Sequence, residues 1–267
     1  MDGAALIAVD IGNSLTKVGW FADGDATSGL VCPLLVRDFP TGQSPSEGLV
    51  SHLPAGPIRW RVASVHRDGQ RVLSRWVETH RPEDDFRILS FADMPLEVRV
   101  DASDRVGLDR LAAAVAANVL REAERPAIVV DTGSAITVDL VSASGAFEGG
   151  AILAGLRMSA EALFSAADLL PLALLAPSDE PPPVVGKNTE AAIRSGLFWG
   201  AVGAVRGIIE QMSATLGREP QVFVTGGELK RLAPLMSTKA QFVPQMVLSG
   251  IAAAARAQAS TPGKNGS

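Results

Sequence analysis

Val9-Asp10-Ile11-Gly12-Asn13-Ser14 near the start of the chain and Val130-Asp131-Thr132-Gly133-Ser134-Ala135 near its middle are two versions of one phrase, with their aspartates 121 residues apart. In each, a β-prone apolar run (Ala5 to Val9, Ile128 to Val130) ends in Asp, one further residue, Gly and two small residues. A second strand-like run follows each turn, Leu15 to Phe21 in the first and Ile136 to Val141 in the second. An aspartate at a strand end, beside a turn opened by glycine, can hold a cation while backbone N–H groups meet phosphate oxygens. The duplication predicts an α/β protein of two similar lobes facing each other across a central cleft, with a nucleotide between them.

The bulk composition narrows the partners. A chain of 267 residues, 47% hydrophobic and 20% charged, can bury one large core or two modest ones. The net charge is −5 and the 24 Lys and Arg residues are dispersed, without a basic stripe interleaved with aromatics, so no nucleic-acid partner is expected. Cys32 stands alone and His52, His66 and His80 are scattered, which argues against a zinc site or a disulfide framework and for the reducing cytoplasm. The first strand begins almost at once after the acidic Asp2, and no uninterrupted apolar run reaches the roughly 18 residues that cross a bilayer. The expectation is a soluble cytoplasmic protein with no membrane partner.

Between the two phrases the pattern is uneven. A turn is expected at 22–25, and Pro40, Pro45, Pro54 and Pro57 leave residues 33–60 without a clear element. Strands are expected at 61–65, 86–91 and 96–100, and a helix at 70–80. Leu111 to Glu124, rich in alanine, reads as a strong helix able to pack on either lobe. The lobes are therefore divided at 1–110 and 111–267. In the second lobe helices are expected at 159–170 and 189–216, the latter capped by Thr189, with an extended proline-rich loop at 177–183. A strand at 222–224 runs into Thr225-Gly226-Gly227. A helix start follows at 228–235, and Gln245 to Gly250 leads into a terminal alanine-rich helix that frays over 260–267.

The candidate chemistry gathers at five places. Gly12 allows close backbone approach, Asn13 and Ser14 can donate to phosphate oxygens, Asp10 can hold Mg²⁺ and Lys17 can meet a phosphate if its strand face turns that way. Asp131, Gly133 and Ser134 repeat the arrangement, with Thr137 and Asp139 sharing one strand face beyond them. Asp139 either lines the site or belongs to the polar face of an exposed hairpin. Neither turn ends in Gly-Lys-Ser/Thr, so neither is a Walker A loop, and no G-x-G-x-x-G run is present. Gly107, Asp109 and Arg110 stand at a helix start, where Asp109 is either a cap favoured by the helix dipole or the base that takes a proton from a substrate hydroxyl. Gly226 and Gly227 let a nucleoside lie against backbone, and Asn188-Thr189 opens a helix that carries many small residues.

Taken together, these segments resemble the type III pantothenate kinases, within the superfamily of acetate and sugar kinases, Hsp70 and actin. The resemblance is carried by Asp10-Ile11-Gly12-Asn13-Ser14 with Lys17, Gly107-Leu108-Asp109-Arg110, Asp131-Thr132-Gly133-Ser134-Ala135 with Thr137 and Asp139, and Glu148 through Leu156. Gly186 through Gly196 and Val224-Thr225-Gly226-Gly227 complete it, over residues 5 to about 254. It implies two ribonuclease-H-like lobes of the actin-like ATPase fold, and transfer of the ATP γ-phosphoryl directly to the terminal hydroxyl of pantothenate, the first step of coenzyme A synthesis. It further implies a homodimer with pantothenate bound at the subunit interface. By the same resemblance Asp109 is the catalytic base, and Gly107 and Arg110 belong to the pantothenate site, which Thr189 reaches from the neighbouring subunit. Asp10 binds Mg²⁺, while Asn13, Ser14, Lys17, Gly133 and Ser134 surround the phosphates. Asp131 lies beside a monovalent cation, K⁺ or ammonium, and Gly226 and Gly227 border the nucleoside. The family has a tyrosine and then Asn-Pro upstream of Gly107, whereas this chain lacks tyrosine and reads Asp101-Ala102-Ser103-Asp104-Arg105. The alternatives are a kinase of the same fold for another small hydroxylated acceptor, or a non-enzymatic regulatory relative; an intact Asp109 favours an enzyme.

Overall fold

Ala5–Ile11 (β1) reads as a nearly unbroken apolar run because it is the middle strand of its sheet, covered on both faces: Leu6, Ile7, Ala8, Val9 and Ile11 are all buried. The computed structural model describes residues 5–22, 29–175, 180–227 and 233–260. β1 pairs antiparallel with Leu15–Phe21 (β2), which pairs antiparallel with Leu35–Pro40 (β3). On its other side β1 runs parallel to Ile58–Ser64 (β4), and β4 to Asp85–Ile88 (β5), giving the order β3-β2-β1-β4-β5. The short helix Glu47–Val50 (α1) lies between β3 and β4, and Arg67–His80 (α2) between β4 and β5. Ile7, Val9 and Ile11 point to the face where Leu73, Trp76 and Val77 of α2 close the core around the fully buried Trp60. Burying a large apolar side chain of this kind contributes roughly 1.5–3 kcal/mol. The indole N–H of Trp60 is not left orphaned, since it donates to Asp84 at 2.8 Å. The same carboxylate accepts the Ile58 N–H and two bonds from Arg81.

The second sheet repeats the first strand for strand. Ala127–Thr132 (β6) pairs antiparallel with Ala135–Val141 (β7), and β7 with Phe147–Ala154 (β8). β6 runs parallel to Gln221–Gly226 (β9), and β9 to Gln241–Phe242 (β10). Leu156–Ala166 (α4), Thr189–Ala214 (α5) and Ala233–Met236 (α6) complete this half. Phe198, Val202, Val205 and Ile209 of α5 cover Ile128, Val130, Ile136, Val138, Val222 and Val224 of the sheet. Against the expectation that nothing here matches a membrane span, the 26-residue α5 has the length and hydropathy of one. Its composition has a local cause. One face is the large apolar core stripe, and the middle of the other carries Gly196, Gly200 and Gly203, with charges only toward the ends at Glu190, Arg194, Arg206 and Glu210.

The chain divides into two compact units at different points from the expected 1–110 and 111–267. Residues up to Leu120, joined by those from Gln245 on, form the first unit, and Arg121–Pro244 the second. The reason is the pair formed by Leu108–Leu120 (α3) and Met246–Ser260 (α7). Ala112 to Ala117 of α3 are buried, and α7 brings Gly250 against Ala112. A Cβ on Gly250 would stand 1.8 Å from the Ala112 carbonyl oxygen. Small residues on both helices let the backbones touch, and this ties the C-terminal helix to the first unit.

Other expectations shift as well. Residues 96–100 hold an isolated bridge at Val98 and no strand, and α3 stops at Leu120, short of Glu124. α5 is capped by Asn188, whose Oδ1 accepts the Ala191 N–H at 2.8 Å, and Thr189 is the first helical residue. β3, β8 and β10 were not expected from the sequence. The turn at 22–25, the loop at 177–183, the helix start at 228–235 and the tail at 260–267 lie wholly or partly outside the described residues.

Candidate active site

The first turn hangs between β1 and β2, the chain's tightest hairpin in the first unit. Asp10 is the penultimate residue of β1 and half-buried, and Asn13 and Ser14 are exposed at the tip. The turn is closed by the Gly12 N–H donating to the Leu15 carbonyl at 3.1 Å. The register sets Lys17 directly across from Asp10, so the two side chains share one sheet face. That answers the question of which way Lys17 points: it leaves β2 on the side of the aspartate.

Val65 links this turn to the second cluster of the unit. Its N–H donates to the Ile11 carbonyl at 3.0 Å, and its Cγ1 lies 3.6 Å from where a Cβ on Gly107 would be. Gly107, Asp109 and Arg110 therefore sit at the carboxyl end of β1 and β4, the end at which open α/β sheets bind ligands. The Asp109 carboxyl folds back at the start of α3, where its Oδ1 accepts the Arg110 N–H at 2.8 Å. Gly107 is needed for this conformation, because a Cβ there would stand 2.4 Å from that same oxygen. Burial pushes the Asp109 carboxyl above its ordinary value, and the Arg110 N–H and guanidinium pull less strongly the other way. Asp109 thus holds the helix start through one oxygen, while burial raises the proton affinity of its carboxyl.

In the second unit Asp131, half-buried, is the penultimate residue of β6, with Thr225 of β9 across from it on one side and Thr137 of β7 on the other. The buried Thr132 hydroxyl donates to the Thr225 carbonyl at 3.0 Å, locking the turn to the Thr225-Gly226-Gly227 segment. Gly226 has φ +106° and approaches Thr132 so closely that a Cβ would lie 2.2 Å from its carbonyl oxygen. Gly133 and Ser134 form the turn itself, held by the Gly133 N–H to the Ala135 carbonyl and the Gly155 N–H to the Ser134 carbonyl, both 3.1 Å. Asp139 is buried, against the exposed-hairpin reading. It packs on β8 at Gly150, where a Cβ would come within 2.4 Å of its Oδ1.

Thr189 stands exposed at the first turn of α5. No cluster of three or more His, Cys, Asp or Glu that could chelate a metal occurs among the described residues. A single carboxylate at a strand end, as Asp10 is, suits Mg²⁺ held mainly by phosphate and water better than a metal in an all-protein cage. Sequence reasoning missed Val65, Thr132 as a lock, and Thr41. Thr132 stood inside a quoted motif, while Thr41 fell in the stretch that four prolines obscured.

A sequence model of the family described as type III pantothenate kinase matches residues 6–211. A type III pantothenate kinase from Desulfosudis oleivorans is 33% identical over 259 residues, which is 92% of this chain and 96% of that protein. Among solved structures, a protein from Campylobacter jejuni assigned to the Baf family of transcriptional activators superposes with a TM-score of 0.58 at 18% identity, covering 96% of this chain and all of that one. A 2-dehydro-3-deoxygalactonokinase-type protein from Sinorhizobium meliloti gives 0.54 at 15% identity, again over 96% of this chain and all of the other. The structural likenesses establish the fold: two similar α/β units of the kind found in a sugar-kinase relative.

Proposed function

The chain belongs to the type III pantothenate kinase family, and we propose that in its ATP-dependent phosphorylation of pantothenate Asp109 takes the proton from the acceptor hydroxyl. The observation that carries this role is a half-buried carboxylate of raised proton affinity, linked through Val65 to the Asp10–Ser14 turn. Phosphoryl transfer asks the protein mainly for positioning and charge neutralisation, with a base of modest strength. Asn13, Ser14 and Lys17 in one unit, and Gly133 and Ser134 in the other, serve the phosphates. Asp10 holds Mg²⁺, which when bound screens the charge on the phosphate oxygens. Asp131 borders a monovalent cation, K⁺ or ammonium, and Gly226 and Gly227 border the nucleoside. Gly107 gives the Asp109 carboxyl its clearance, and Arg110 engages the carboxylate end of pantothenate.

The same proposal makes the protein a cytoplasmic homodimer in which Thr189 reaches pantothenate bound to the neighbouring subunit. The exposed small-residue face of α5 supports close helix packing between copies. Both units are read as ribonuclease-H-like lobes of the actin-like ATPase class, on the strand order they share.

The test is steady-state ADP release from Mg-ATP and pantothenate in K⁺, in ammonium and in Na⁺ alone. Turnover that depends on pantothenate, needs K⁺ or ammonium, and collapses in Asp109→Asn supports the assignment of base and cation. Equal turnover in Na⁺ removes the cation role from Asp131, and an active Asp109→Asn enzyme removes the base.

A further inference from the structure

We infer that Thr41 is a positioning residue that holds the Gly12–Ser14 turn in its phosphate-binding shape; the inference rests on the assignment of that turn to the ATP phosphates. Thr41 follows β3 directly and grips the turn on both sides of Asn13. Its N–H donates to the Ser14 carbonyl at 3.0 Å, and its hydroxyl donates to the Gly12 carbonyl at 2.9 Å. The hydroxyl proton being spent on Gly12, the 3.1 Å contact with the buried Thr16 hydroxyl has Thr16 as donor. The result is a short relay, Thr16 to Thr41 to Gly12. The threonine methyl is fixed from behind, because Gly69 of α2 approaches so closely that a Cβ there would lie 2.6 Å from Thr41 Cγ2 and 2.9 Å from Ile11 Cγ2.

The duplicated fold supplies an independent comparison. Pro40 pairs with Leu15, the first residue of β2, and Ala154 pairs with Ala135, the first residue of β7, so Thr41 and Gly155 are equivalent positions. Gly155 also donates its N–H to its turn, at the Ser134 carbonyl, and packs so tightly that a Cβ would stand 2.4 Å from the Gly133 carbonyl oxygen. One unit braces its turn with backbone against backbone, the other with a hydroxyl. A turn whose donors are already aimed loses less freedom when phosphates arrive, so bracing is read out as nucleotide affinity. A threonine that merely satisfied its own hydroxyl would affect stability and leave affinity alone.

The experiment uses Thr41→Val, which keeps the N–H and shape but lacks the hydroxyl, and Thr41→Ser, which keeps the hydroxyl. The readouts are KM for ATP and for pantothenate, the Kd of a non-hydrolysable ATP analogue by calorimetry, and the thermal midpoint. We expect T41V to raise the ATP KM and the analogue Kd by about five- to tenfold, the usual worth of one hydrogen bond. Pantothenate KM stays within about twofold, and T41S behaves like the unmodified enzyme. The inference is overturned by an unchanged analogue Kd in T41V, by a T41S enzyme as impaired as T41V, or by a T41V chain that does not fold, which would assign Thr41 to the fold. Asp10→Asn separates the two levels: weakened analogue binding there with none in T41V sinks the clamp alone, and no weakening in either sinks the assignment of the turn to ATP.

Discussion

Replacing Asp109 with Asn separates proton acceptance from everything else that side chain does. Asn is the same shape and keeps an Oδ1 able to accept the Arg110 N–H, so the start of α3 retains its 2.8 Å bond and the clearance over Gly107. What disappears is a carboxylate whose proton affinity burial has raised. A positioned base contributes about 10²–10⁴-fold, so kcat should fall at least ~100-fold, roughly 2.7 kcal/mol of barrier, with the KM for ATP little changed. Stability should move the other way. The folded-state pKa lies above the unfolded value near 3.8, so the protein carries a cost for the charged form that is absent below 3.8 and complete above the raised folded pKa. Wild-type stability is therefore eroded as pH rises through that window, whereas the Asn variant pays nothing. D109N should melt at the same or a higher temperature than wild type at pH 7, and the advantage should vanish as the pH falls toward 3.8. Steady-state ADP release and urea melts at pH 7, 5 and 4 measure both halves. A variant with kcat within threefold of wild type refutes the base. One less stable than wild type by the same margin at every pH refutes the burial argument, because the carboxylate would then be supporting the fold.

Three further outcomes follow from the packing. Asp84→Ala strands the Trp60 indole N–H, the Ile58 N–H and the Arg81 guanidinium together, and should cost about 3 kcal/mol of unfolding free energy in urea; a loss under 1 kcal/mol would mean water replaces the carboxylate. Gly250→Ala drives a methyl into the Ala112 carbonyl and should cost about 1–3 kcal/mol while loosening hydrogen-exchange protection in both α3 and α7; protection lost in α7 alone would deny the helix pair. Asn188→Ala removes the cap of α5 and should cost about 1 kcal/mol, with pantothenate KM raised more than ATP KM if Thr189 works from that helix start; equal effects on both would count against Thr189.

The parts of the fold that were legible are those whose local signal and tertiary duty coincide. β1 and β6 are middle strands, so their sequences are continuously apolar, and each ends in an aspartate–glycine turn that announces itself. β8 was illegible because its duty contradicts its propensity. Gly149 and Gly150 weaken a strand, yet Gly150 must lack a side chain where the buried Asp139 lies against it. β3 hides for another reason: as an edge strand it alternates poorly, and it ends in a proline. The alliance of α3 with α7 left no trace either, since alanine on both helices gives high propensity and no address.

The same logic explains why the repeat was visible at the turns and invisible at the braces behind them. The two aspartates are 121 residues apart, but the equivalent third-strand ends, Thr41 and Gly155, are 114 apart, because the connections between strands differ in length in the two units. A scan at fixed offset therefore finds the turn residues and slides past the residues that hold them. Chemistry hides the equivalence further. A hydroxyl at one position and a missing Cβ at the other share no residue type, though both deliver an N–H to the carbonyl of the turn's serine. What is duplicated is a backbone arrangement, and side chains report it only at the aspartate–glycine turns themselves. By this reasoning a functional residue in either unit is best sought at the register partners of the turns, and Lys17 opposite Asp10, with Thr137 and Thr225 flanking Asp131, are the positions that rule selects.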